Sequence, residues 1–157
     1  MRAARIERCR RCAVSQQRRR NVYRLFESNF SDEYSNLFRN DGEWNFSGVS
    51  YKSGVALPSL PYVKWGKVFF DADNDGRLDL IVVGGHVYPQ VDTLPSGARY
   101  KEPKVLQLNQ KDGTFCDASD QAGPDLRIPR VSRGVAAGDL FNDGNVDLSL
   151  KTWLARR

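Results

Sequence analysis

The chain repeats itself, and the repeat limits what it can fold into. Asn40, Phe46 and Gly54 recur as Asn109, Phe115 and Gly123, each 69 residues on. After a one-residue deletion, Gly66, Asp71, Asp75, Gly76 and Asp79 recur as Gly134, Asp139, Asp143, Gly144 and Asp147, each 68 residues on. A register held over that span implies a supersecondary unit used more than once, whose apolar face is buried by stacking on its neighbour. The texture inside each unit is short β-rich runs broken by Gly, Asn, Asp and Pro. The runs 64–70 and 78–83 flank Asp71 to Gly76, and 104–108 and 114–118 flank Lys111-Asp112-Gly113. The runs 131–137 and 146–150 flank Asp139 to Gly144. Leu37-Phe38-Arg39 and Trp44-Asn45-Phe46 flank Asn40-Asp41-Gly42, which predicts a hairpin turn there, since these residues tolerate positive φ. No segment carries a sustained helical period. The expected fold is all-β, with about four strands per unit, the content of one propeller blade. Residues 25–150 then amount to a partial β-propeller of about two blades. Two blades leave apolar faces uncovered, so the remaining blades or copies of the chain itself are the expected partners.

The clearest chemistry lies in one repeated loop. Asp71, Asp73 and Asp75 alternate, Gly76 follows, and Asp79 opens the next strand. Calcium is a hard cation that takes six to eight oxygens, and carboxylates at alternate positions of a tight loop can converge on it. Arg77, at loop position seven, offers only its carbonyl. Val82 stands where an EF-hand needs its twelfth-position Glu, and the flanks read as strands, so this is not an EF-hand. The alternative is a hairpin rich in Asx-turns and without metal. The second copy keeps Asp139, Asp143 and Asp147, with Asn145 at position seven, but places Phe141 at position three, where no side-chain oxygen is available. It offers fewer ligands and therefore lower affinity, unless Asn142 or water compensates.

Charge separates the body from its ends. The whole chain is formally +5, yet residues 1–24 hold nine arginines and one acid, Glu7. Residues 25–150 carry 12 basic and 18 acidic side chains. The first stretch lacks periodicity and reads as a disordered basic tail, and residues 151–157 as a second basic tail. A nucleic-acid binder acting through the arginines is the first rival reading, disfavoured by the acidic body. An enzyme on the same scaffold is the second, but no nucleophile is spaced to partner the lone His86, which reads as structural. Cys9 and Cys12 form half a zinc signature with no second half. No apolar run reaches the roughly 18 residues of a membrane span, and no signal peptide is visible. The aromatic residues at 26, 30, 34, 38, 44, 46, 65, 69 and 70 fit core between units better than a base-stacking platform.

Taken with their spacing, these stretches resemble the FG-GAP/VCBS-type propeller repeats, and within them the group of cartilage acidic protein that often ends in an ASPIC/UnbV domain. Asn36 to Gly42, Trp65-Gly66 leading to the 71–80 loop, and Arg133-Gly134 leading to Gly138 to Gly144 carry the likeness. The run Gly85-His86-Val87-Tyr88-Pro89-Gln90-Val91-Asp92 is its most specific part. The resemblance implies a calcium-stabilised, non-catalytic module of adhesion, structure or interaction. It also implies an extracellular or periplasmic setting and a protein or carbohydrate ligand. Two departures stand at the ends. Where the family places another acidic loop, this chain has Ser15 to Arg20, yet codons for Gln16 to Arg19 exist that read Asn-Asn-Asp-Gly one base later. Codons for 149–157 exist that read Ile-Glu-Asn-Leu-Ala-Gly-Ala-Pro in another frame. Frameshifts bounding the matching region are therefore an expectation that the coding DNA tests.

Overall fold

The computed structural model describes residues 12–17 and 22–153. Ten strands account for most of the regular structure. They are β1 (Cys12–Gln17), β2 (Val22–Glu27), β3 (Asn36–Gly42), β4 (Asn45–Gly48), β5 (Lys64–Phe70), β6 (Asp79–Gly84), β7 (Val105–Asn109), β8 (Phe115–Asp117), β9 (Val131–Gly138) and β10 (Asp147–Trp153). Among the described residues, helix is confined to the four residues of α1 (Pro124–Arg127) and two short 3-10 turns. None of the described helices is long and apolar enough to cross a membrane. Among the described residues all strand pairing is antiparallel, in three sheets ordered β1-β2-β3-β4, β5-β6-β7-β8 and β9-β10.

The sequence repeat is a structural repeat. Phe26 pairs with Leu37 across β2 and β3, and Ile81 pairs with Leu106 across β6 and β7. Phe70 faces Asp79 at the mouth of the β5–β6 hairpin, and Gly138 faces Asp147 at the mouth of β9–β10. The middle sheet is packed on both sides. One core gathers Phe26, Leu37, Val55, Phe69, Leu80, Val82, Val105 and Phe115. A second gathers Phe70, Ile81, Val83, Leu106 and Ala118, with Val135, Ala137, Leu148 and Leu150 of β9 and β10 against it. Because successive strand side chains point to opposite faces, neighbouring residues of β6 enter different cores, and all six of its residues are buried. This explains why Leu80-Ile81-Val82-Val83 is a continuous apolar run rather than an alternating one.

Close approach between sheets falls on glycine. A Cβ on Gly66 would lie 2.9 Å from the backbone of Gly134 and 2.8 Å from Val83 Cγ2. The two glycines are repeat partners, so β5 and β9 meet where neither has a side chain. The β7–β8 hairpin is likewise held against the 50–56 loop, where Phe115 N donates to Ser53 O at 2.7 Å and a Cβ on Gly54 would stand 2.7 Å from Phe115 O.

Three features differ from the sequence reading. The strands pass both limits set for the body: β1 and β2 begin at Cys12, inside the stretch read as a tail, and β10 runs on to Trp153. The ladder uses backbone groups, which arginine supplies as well as any residue, and the alternation around buried Phe26 is short enough to be hidden by charge. Residues 1–11, 18–21 and 154–157 lie outside the described residues, and with them Cys9 and part of each proposed frameshift site, 18–20 and 154–157. Ten strands in sheets of four, four and two also exceed the content of two four-stranded units. Finally, the β3–β4 hairpin turns at Glu43 and Trp44 (φ 50° and 63°), not at Asn40-Asp41-Gly42. Gly42, at φ 114°, sits instead at a register shift between Asn40 and Gly42, one residue before the turn.

Candidate metal centre

The β5–β6 connection turns sharply because Asn74 and Gly76 both take positive φ, 58° and 83°. That turn folds the loop back on its own amides. Asp71 accepts from Asp75 N at 3.0 Å and from Gly76 N at 2.9 Å. Asp73 Oδ1 accepts from Asp75 N at 3.3 Å. Asp79, fully buried at the start of β6, accepts from Ala72 N and from Asn109 N, both at 2.8 Å. The amides thus aim three carboxylates at one place: Asp71, Asp73 and Asp79 each offer an oxygen, and all lie within 4.8 Å of one another. This acidic cluster can hold a metal ion. Burial raises the pKa of Asp79, and the charges of Asp73 and Asp71 add to that; the Asn109 and Ala72 amides oppose it.

Not every residue of the motif joins the cluster. Asp75 turns its carboxylate to Arg77, accepting from the Arg77 amide at 2.8 Å and pairing with its guanidinium. Arg77 Nε also donates to Asn109 O at 2.7 Å, so the side chain that spacing leaves free to vary ties the loop to β7. Asn109 is the residue the motif does not mention. Its amide holds Asp79, its Nδ2 donates to Leu78 O at 3.0 Å, and its buried Oδ1 has no hydrogen-bond partner among the described residues. The one trace of it in the sequence is its repeat pairing with Asn40. An all-oxygen donor set with an orphaned amide oxygen nearby suits a hard cation.

The second loop repeats four of the first loop's backbone-to-carboxylate bonds. Asp139 accepts from Asp143 N at 3.1 Å and Gly144 N at 3.0 Å, and Asp147 accepts from Leu140 N at 2.9 Å. Asn145 N donates to Asp143 Oδ1 at 2.9 Å, as Arg77 N does to Asp75. Asn142 and Gly144 take the same positive φ, 55° and 85°. Phe141 occupies the place of Asp73 and points to solvent, 77% exposed. The two loops touch, Asn74 Nδ2 donating to Asn145 Oδ1 at 3.3 Å.

His86 lies against the rings of Phe30 and Tyr88, and its Nδ1 accepts from Tyr88 N at 3.2 Å. The chain matches no protein-family model, and no curated protein matches it.

Proposed function

We propose that the chain is a calcium-binding β-propeller repeat module, acting in structure, adhesion or interaction and not in catalysis. The observation that carries this reading is the carboxylate cluster of Asp71, Asp73 and Asp79, built on a loop whose backbone is duplicated at 139–147. Like charges gathered this closely repel until a cation neutralises them, so a cation would fix the β5–β6 hairpin. Asp71, Asp73 and Asp79 would hold it by carboxylate and Arg77 by its carbonyl. Asp75 would join only by leaving Arg77. Asp139, Asp143, Asp147 and the Asn145 carbonyl form a weaker second site. The blade reading draws support from the stacking of successive sheets through glycine contacts and shared cores. On this reading the remaining blades or a second copy pair with the two-stranded β9–β10 sheet. The ligand would be a protein or carbohydrate, in an extracellular or periplasmic setting, where calcium affinities of roughly 10⁻⁴–10⁻³ M are usual.

Titration calorimetry of the full chain with calcium tests the reading. A binding heat that Asp71→Ala abolishes is expected. Absence of heat with the native chain would overturn it.

A further inference from the structure

The turn between β2 and β3 frames an open cleft of about 400 Å³, lined by Asn29, Asp32, Glu33, Tyr34 and Asn36. Its rim is fixed from behind. Asp32 takes a left-handed φ of 62°, and its amide donates to Leu60 O at 2.9 Å. The buried ammonium of Lys64 donates to the carbonyls of Phe30, Glu33 and Ser59 at 3.1, 2.8 and 2.9 Å. A rim held this way has little conformational freedom left to lose on binding.

What the rim offers is chiefly acceptors. Asn29 turns its Nδ2 to Tyr34 O at 2.9 Å, and Asn36 turns its own to Glu27 Oε2 at 3.1 Å. The Oδ1 of each is left without a hydrogen bond among the described residues. Glu33 commits one oxygen to Phe30 N at 3.3 Å. The Asp32 carboxylate accepts no hydrogen bond among the described residues, and the ion pairs there, Arg39–Asp41 and Arg77–Asp75, involve neither acid. Lys64 attracts both acids but spends its ammonium on carbonyls. Tyr34 adds a ring face, 41% exposed, with its centroid 4.9 Å from that of exposed Tyr51.

Elsewhere the chain shows what such a set accepts. Arg133 lies over the Trp65 ring, 4.8 Å from its centroid, and donates to Gly85 O at 2.7 Å and His86 O at 3.0 Å. Arg24 lies over Phe115 and donates to Gly113 O at 3.5 Å. A ring face beside oxygen acceptors thus seats a guanidinium twice. The cleft has the same pairing with two unpaired carboxylates added, and no basic side chain among the described residues lines it.

We propose that this cleft binds an arginine side chain of a partner protein, its guanidinium donating to Asp32 and Glu33 and lying against Tyr34. A neutral sugar would find the ring and the acceptors but leave both carboxylates without a counter-charge, so charge complementarity favours arginine. This gives a chemistry to the protein ligand of the function proposed above, and it depends on neither the calcium nor the blade reading.

The test is a titration of the full chain with the peptide acetyl-Gly-Arg-Gly-amide in excess calcium, read by NMR. The readout is the amides of 29–36 and the rings of Tyr34 and Tyr51, so failure at the calcium loops is seen separately. Saturable shifts at these positions are expected. Citrulline in place of the peptide's arginine keeps the shape without the charge and should weaken binding by about tenfold or more. Asp32→Asn, which tolerates the left-handed φ, should weaken it by about threefold or more. No saturable shift at these positions, or equal binding of the citrulline peptide, overturns the proposal. Saturation of the same positions by methyl glucoside at lower concentration than by the arginine peptide assigns the cleft to sugar and overturns it too.

Discussion

A carboxylate's place in the sequence and the direction it faces are separate facts, and the loop at 71–79 displays both. Asp71, Asp73 and Asp79 converge as their spacing implies, because loop amides orient them. Asp75 has the same claim by spacing but pairs with Arg77, since a rotamer is chosen by neighbours that spacing does not name. Asn109, 30 residues beyond Asp79, completes the site through a ladder that no local motif records. Asp79→Asn should weaken calcium binding by about a hundredfold or more, since even second-layer groups at metal sites commonly cost about 10–100-fold. Asp75→Asn should cost clearly less. Calorimetry on the two variants checks the order, and equal losses would place Asp75 in the cluster after all.

Elements were legible wherever apolar runs met turn residues, and illegible where charge or a bulge disguised them. The six runs between 64 and 150 all became strands, with ends unchanged or moved by up to three residues. The β1–β2 pair escaped because it lies in an arginine-rich stretch of the sequence. Its one arginine, Arg24 of β2, lies over the Phe115 ring, 5.3 Å from its centroid. The β3–β4 turn escaped because Gly42 is used as a bulge, which leaves Glu43 and Trp44 in the left-handed region. A bulky side chain there costs roughly 1–2 kcal/mol. Glu43→Gly should therefore stabilise the chain by about 1 kcal/mol in urea unfolding, and a clear loss would overturn this. Gly66→Ala should act oppositely. Its methyl would meet the Gly134 backbone, and a destabilisation of about 1–3 kcal/mol is expected from overpacking between β5 and β9.

For the whole molecule, two buried charges shape the dependence of stability on pH. Glu102 holds its proton more tightly folded, at about 7 against 4.5. Its contribution is full below the unfolded value and is lost as pH rises through about 7. Lys64 is shifted the other way, from 10.5 down to about 8, chiefly by burial and against the attraction of Glu102, Glu33 and Asp32. The unfolded chain binds the extra proton between those values, so stability recovers as pH rises from 8 towards 10.5. Both groups are charged between about 7 and 8, where their summed contribution is lowest. Urea unfolding in saturating calcium should find Glu102→Gln no more stable than the native chain near pH 4.5 and more stable near pH 7.5, by up to about 3 kcal/mol. A difference independent of pH would refute this.

The double burial of β6 has a consequence for how the chain comes apart. A layer with neighbours on both faces cannot be wetted by losing either one alone, and each neighbour that leaves exposes half of it. Unfolding that starts at the outer sheets must therefore reach β6 last, and its amides should set the slowest exchange in the chain. The outer sheets, each covered on one side, depend on that central layer for their own survival. The six buried residues of β6 are thus the last layer to be lost.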